Sequence, residues 1–505
     1  MTINANLFNL FRSRFPSDLT ATLIEIPQER RWSYADLETE TARLARFLMA
    51  SGVQKGDRVV AYVDKSPAVL MLYLACLRGG YIYLPLNTSY TRRELAYFIA
   101  DAEPRVIVCR PEAYEVLRDV CGDTVCHLYT LDHQGAGTLI DASRHCDPDF
   151  PVVDCQADDI AAILYTSGTT GRPKGAMITH DNLAANGLTL HQAWGWQPGD
   201  VLLHALPIYH AHGLFVACHC ALLNGSKLLW LPAFEAATVI PLLPQATVFM
   251  GVPTYYTRLL AHPDLTREVC RQMRVFISGS APLLEQTFKA FRERTGHTIV
   301  ERYGMTETEM NTSNPWQGER LPGTVGKPLP GVAVRIVDDQ GHAVGRGEVG
   351  QLLVKGRNVF KGYWGMPEQT AQEFTGDGYF KTGDLAKIDA KGYIAIVGRA
   401  KDLVITGGLN VYPKEIEGII NEIEGVVESA VIGIPDPDFG EAVTAIVVRE
   451  PGRETMTEAL IIGKLKETMA SFKIPKRVFF TDSLPINAMG KVQKNVLREQ
   501  YTARD

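Results

Sequence analysis

The first hundred residues alternate between short apolar runs and longer ones. "DRVVAYV" (Asp57 to Val63) is apolar and β-branched between charged flanks, which predicts a buried strand. "SPAVLMLYLACLRGG" (Ser66 to Gly80) is too long for a strand, opens on Ser-Pro and ends in paired glycines, so it predicts an apolar helix. "YIYLPLN" and "RVIVCR" predict two further strands, and between them Thr91 and Glu94 take the capping-box spacing that opens a helix. Strand–helix–strand repetition predicts a largely parallel sheet covered by helices, an α/β fold.

After about Val325 the pattern shortens. "VAVRIVDDQGHAVGRGEVGQLLVKG" alternates apolar and polar residues between Asp-Gln-Gly and Gly-Arg-Gly turns, which predicts a small antiparallel β-subdomain. The last hundred residues change again. "SAVIGIPD", "AVTAIVV" and "KRVFFTD" predict strands around a helical "TEALIIGKLKETMA", a compact α+β unit. "VGRAKDLVITGG" (Val397 to Gly408), charged and then glycine-rich, marks the boundary between a large N-terminal domain and this small one.

A length of 505 residues agrees with several domains or subdomains. A net charge of -6 argues against a nucleic-acid surface, which needs a basic excess. No apolar run reaches the length of a membrane span; "VLMLYLACL" stops at Arg78. The N-terminus lacks the apolar core of a secretory signal, and Asp18 and Glu25 come early for a mitochondrial presequence. "YTARD" is no peroxisomal address. Nine cysteines without a repeated spacing read as reduced thiols, and the expected location is the cytoplasm. Cys218 and Cys220, two apart in a predicted helix, point different ways and suit a metal site poorly.

The candidate chemistry begins at "YTSGTTGRPKGAMITH" (Tyr165 to His180), after the apolar run Ile160 to Leu164. Counted from Gly168, a P-loop needs glycine where Pro173 stands and a hydroxyl where Gly175 stands, so that reading fails. The loop still has the parts of an anion cradle: glycines for close backbone approach, hydroxyls as donors and Lys174 for charge. A plain Gly/Thr loop has the same composition.

That loop, "ERYGMTETE" (Glu301 to Glu309), "GYFKTGDLAKIDAKGYIAIVGRAKDLVITGGLNVYP" (Gly378 to Pro413) and "LPINAMGKVQKNVLR" (Leu484 to Arg498) together resemble the motifs of the adenylate-forming enzymes, in order and across nearly the whole chain. These are the acyl-CoA synthetases, luciferases and peptide-synthetase adenylation domains. The resemblance implies a carboxylate attacking the α-phosphate of ATP, pyrophosphate leaving, and a thiol then displacing AMP. It also implies a large domain (1–399), a small mobile lid (400–505) and a hinge at Lys401.

By the same resemblance, Thr166, Ser167, Gly168, Thr169, Thr170, Gly171 and Lys174 embrace the β- and γ-phosphates. Glu307 holds Mg²⁺, Thr306 bonds the α-phosphate, and Gly304 and Met305 complete that wall. Ser278 and Gly279 lie along adenine, and Tyr303 stacks on it. Asp384 accepts the ribose hydroxyls, Arg399 touches ribose or phosphate, and Lys491 is the catalytic cation between carboxylate and α-phosphate. Gly407 and Gly408 give close passage to the pantetheine arm of coenzyme A. Acylation of Lys491 by a lysine acyltransferase would remove its charge and stop adenylation.

Arg302, before Tyr303, bears on the acid. A buried arginine is costly unless it meets an anion, and its fork fits a carboxylate. "ERYGMTETEMNTSNP" and "PIYHAHGL" are similar to the malonyl-CoA synthetase branch, which implies that Arg302 holds the far carboxylate of a small dicarboxylic acid. His210 would then shape the pocket mouth and Ser280 donate to the same carboxylate. A surface pair of Arg302 with Glu301 or Glu309 is the plainer alternative. Methylmalonate, oxalate or a short monocarboxylate as substrate, and a module that loads a carrier protein, stay open.

Overall fold

The computed structural model describes residues 4–122, 127–166, 173–453, 455–486 and 491–502. Two large sheets organise the first two-thirds of the chain. In the seven-stranded sheet Ile160–Thr166, Ile82–Pro85, Arg58–Tyr62, Val106–Cys109 and His127–Thr130 run parallel. In the nine-stranded sheet the parallel run passes from Thr22–Glu25 through Lys227–Trp230, Val201–His204, Val248–Gly251 and Val275–Ser278 to Ile299–Met305.

The predicted elements stand where the pattern put them. Pro67–Gly79 is a helix ended by Gly80 in the left-handed conformation, and it is buried on all faces from Val69 onward. That is what its apolar circumference requires. One hydrophobic core takes in this helix, Val59 and Tyr83 from one sheet, and Leu202, Leu228 and Val248 from the other. Thr91 and Glu94 close a complete capping box on Arg92–Ala102.

Both sheets turn antiparallel at their edges, which the alternating pattern did not reveal. Ile160–Thr166 pairs antiparallel with Lys174–Thr179. Ile299–Met305 pairs antiparallel with Glu309–Ser313, with Met305 opposite Glu309. The three residues between Met305 and Glu309, like the seven between Thr166 and Lys174, are too few for a parallel crossover, so these strands pair antiparallel. Cys218 and Cys220 lie in a helix as expected, Cys218 at the end of a π-helical stretch, His212–Cys218, and Cys220 in the α-helix His219–Asn224 that follows. A Cβ on Gly213 would lie 2.0 Å from the Pro207 carbonyl oxygen, so only glycine lets the loop before the π-helix pack this closely.

Ala333–Val337, Gly350–Lys355, Phe380–Ile388 and Ile394–Arg399 form the expected antiparallel β-subdomain. The small C-terminal domain is a separate sheet, built on the long hairpin of Val426–Asp436 and Gly440–Arg449 and packed by the helices Pro413–Ile420, Glu458–Lys466 and Lys494–Thr502. No helix among the described residues is long and apolar enough to cross a membrane.

Candidate active site

The site is assembled from the two motif hairpins, the β-subdomain and the small domain. The turn after Met305 sets its floor. A Cβ on Gly304 would fall 1.9 Å from the Glu309 carbonyl oxygen, and Glu309 itself adopts φ +49°, so the hairpin closes tightly around Thr306 to Thr308. The tightness aims Glu307 inward. Its carboxylate is buried and accepts from Thr166 Oγ1 at 3.3 Å and from the Tyr363 hydroxyl at 3.1 Å. Burial raises its pKa above the usual carboxylate range, against the pull of those hydrogen bonds and of Arg399.

A buried carboxylate beside a threonine hydroxyl is a hard-oxygen donor set. That fits Mg²⁺, which is held by one or two carboxylates together with substrate phosphates. Ser167 to Gly171 lie outside the described residues. Lys174 is described: its ammonium pairs with Glu373 at 3.2 Å and lies 4.7 Å from the centre of the Tyr363 ring. Tyr363 therefore links Lys174 to Glu307. No local sequence signal marks it, because it belongs to the two-residue strand Gly362–Tyr363.

Asp384 and Arg399 are partners across adjacent strands, and their side chains pair at 2.8 Å. The Tyr303 hydroxyl donates to the other oxygen of Asp384. A carboxylate has about four acceptor sites, so Asp384 can still take ribose hydroxyls while both of these bonds hold. Met305 packs on the nearby cluster of Phe360, Tyr363 and Phe380.

Lys491 comes from the small domain into this same field. Burial and the positive charge of Arg399 lower its pKa, while Asp384 and Glu307 act to raise it. Its side chain keeps accessible surface, yet protein surrounds it closely enough for Arg302 and His210 to feel its charge.

Arg302 lies only 2% exposed, and among the described residues its Nε and Nη2 have no hydrogen-bond partner. Gly279 supports it from behind: a Cβ there would lie 2.5 Å from the guanidinium carbon. Burial pushes the Arg302 pKa down to about 10, and the field of Glu309 resists. Glu309 is buried as well, is pushed up to about 8, and has Oε1 unpartnered. The surface-pair alternative therefore fails. Glu301 points to the other side of the strand, where it accepts the Leu283 N–H at 3.1 Å.

His210 is pushed down to about 3 by burial, then by Lys491 and Arg302, so it stays neutral. Ser280, at φ +73°, has its hydroxyl 3.2 Å from His212 Nδ1. His212 was not singled out from the sequence, although the His-x-His spacing in "YHAHGL" was its signal. Ser278 Oγ is buried with no partner among the described residues. Thr306 is half-buried at the turn. Gly407 and Gly408 form an exposed turn between Val404–Thr406 and Leu409–Val411, both at positive φ.

Residues 11–364 match the AMP-binding enzyme family, and residues 415–491 match the C-terminal domain of AMP-binding enzymes. The chain belongs to the AMP-binding enzyme family. Its fold is similar to ATP-bound MatB from Rhodopseudomonas palustris, at 54% identity and a TM-score of 0.97, with 99% of each chain covered. A malonate–CoA ligase of Arabidopsis thaliana is 34% identical, over 93% of this chain and 84% of that protein. A feruloyl-CoA synthase of an Amycolatopsis species is 36% identical, over 93% and 94%. Two AMP-binding relatives at nearly equal identity act on quite different acids, so the acid must be read from the pocket.

Proposed function

We infer that this chain is an AMP-forming acid–thiol ligase that joins malonate to coenzyme A through malonyl-adenylate. The observation that carries the choice of acid is the buried Arg302 guanidinium, with two nitrogens unpaired among the described residues, beside His210 and within the field of Lys491. One carboxylate of malonate would meet that fork, with Ser280 as a further donor. The other would then stand where Lys491 can draw it against the α-phosphate. A one-carbon spacer would let one small diacid reach both cations, and an acyl tail would leave a buried cation unpaired.

In the first half-reaction a carboxylate oxygen attacks the α-phosphorus and pyrophosphate departs. Like charges meet there, and Lys491, Arg399 and Thr306 neutralise and orient them. Mg²⁺ held by Glu307 and Thr166 would supply further charge neutralisation on the phosphates when bound. Asp384 and Tyr303 hold the nucleoside, the first on the ribose and the second along adenine with Ser278 and Gly279. In the second half-reaction the coenzyme A thiol adds to the malonyl carbonyl and AMP leaves.

We place the domain boundary after Arg399, with Lys401 as the pivot. Support comes from the end of the strand Ile394–Arg399, the single turn Ala400–Asp402 and the exposure of Lys401. Rotation there would withdraw Lys491 and bring Gly407 and Gly408 to the site. All eight described cysteines are free thiols, which supports a reducing, cytoplasmic setting.

The test is malonate-dependent AMP formation with ATP, Mg²⁺ and coenzyme A, compared with methylmalonate, oxalate, acetate, butyrate and octanoate. Malonate is expected to lead, with methylmalonate behind it because one methyl is worth about 1–3 kcal/mol of discrimination. Octanoate turning over faster than malonate would sink the assignment. We also propose that acylation of Lys491 switches the enzyme off, because an amide carries no charge. Chemical acylation confined to Lys491 is expected to abolish pyrophosphate release, and retained release would refute the switch.

A further inference from the structure

One charged group of the small domain reaches into the large one and is used by no step above. Lys414 stands in the first turn of Pro413–Ile420, and its ammonium donates to the Ile396 carbonyl at 2.6 Å. Ile396 lies on Ile394–Arg399, on the other side of the Ala400–Asp402 turn. The carboxylates acting on Lys414 are Glu301, Glu417 and Asp384, and Lys494 opposes them. Glu417 is on the same helix and already pairs with Lys494 at 2.6 Å. Glu301 and Asp384 belong to the large domain: Glu301 is held by the Leu283 N–H, and Asp384 is bound to Tyr303 and Arg399 in the nucleoside site.

A lid cation thus sits in the field of two carboxylates of the large domain, one of them the active-site Asp384, and on a carbonyl of that domain. A partly buried ammonium is stable only where such acceptors surround it. They surround Lys414 only in the present orientation, since its helix and their strands lie on opposite sides of the pivot. The same orientation brings Lys491 to Asp384 and Glu307.

We propose that Lys414 is a positioning residue, a latch that holds the small domain in the adenylating orientation and lets go for the thioester step. The inference rests on the rotation about Lys401 proposed above. It gives the lid a preference between its two tasks: engaged, the latch favours formation of the adenylate, and released, it leaves Glu301 without that cation and so favours return once AMP has gone.

Two half-reactions separate the latch from a general structural role. Adenylation is read as malonate-dependent ATP–pyrophosphate exchange. Thioester formation is read in a single turnover, by mixing enzyme preloaded with ATP and malonate with coenzyme A. Lys414→Met keeps the apolar stem and removes the charge. It should slow exchange by about tenfold, the loss expected for one hydrogen bond from a charged donor, and leave the thioester step as fast or faster. Lys414→Arg should recover most of the exchange. Equal losses in both half-reactions, or wild-type exchange in Lys414→Met, would overturn the latch. Lys401→Pro stiffens the pivot and tests the rotation by itself, and it should slow the thioester step alone. If it does not, the rotation reading fails; if it does while Lys414→Met behaves as wild type, only the latch fails.

Discussion

Lys491→Ala should lower malonate-dependent ATP–pyrophosphate exchange by about 10²–10³-fold, the range seen when one preorganised group is removed from a developing charge. The expectation follows from placement. Lys491 is a cation that the small domain supplies to a field already holding Asp384, Glu307, Arg399 and Arg302. The attack brings a carboxylate against a polyphosphate, and an ammonium on a flexible stem can bridge both during the brief approach. Michaelis constants for ATP and malonate should move little, because the loss falls on the transition state. The thioester step, run from preloaded adenylate, should be spared. Exchange near the wild-type rate in Lys491→Ala would remove this residue from the chemistry.

The second large effect belongs to Arg302. Truncating one partner of a buried charge pair costs about 2–5 kcal/mol, so Arg302→Ala should lower kcat/KM for malonate by about 30-fold to several thousand-fold. Here the Michaelis constant for malonate should rise, with that for ATP unchanged. Arg302→Lys keeps the charge and loses the fork, and should fall between the two. Monocarboxylates provide the opposite readout. Butyrate should improve in Arg302→Ala, because the buried cation that penalises an apolar end is gone. Malonate activity that survives the substitution, with butyrate still refused, would place the distal carboxylate elsewhere.

The elements that carry these groups were legible because local rules suffice for them. Thr91 and Glu94 satisfy one another within a single turn. The helix Pro67–Gly79 is apolar over its whole circumference, so its burial follows wherever it packs. The Gly/Thr and Met305 to Glu309 stretches were readable as motifs, although the antiparallel pairing of the strands beside them was not. Pairing direction depends on which strand lies alongside, and a residue pattern of period two is the same for both.

The sequence by itself determined the family, the two-step chemistry that family implies, the order of domains and the candidate residues, since those rest on residue types at fixed local spacings. The tertiary structure alone decided which charges meet. Glu301, Arg302 and Glu309 stand close together in the chain and read equally well as a surface cluster. Only the packing against Gly279 buries Arg302 with Nε and Nη2 unpartnered among the described residues and turns Glu301 away to Leu283. The Tyr363–Glu307 bond, the Tyr303–Asp384–Arg399 group and the reach of Lys414 to Ile396 join residues from separate elements. Burial and Coulomb energy depend on distance in space, and the order of residues along a chain does not contain it.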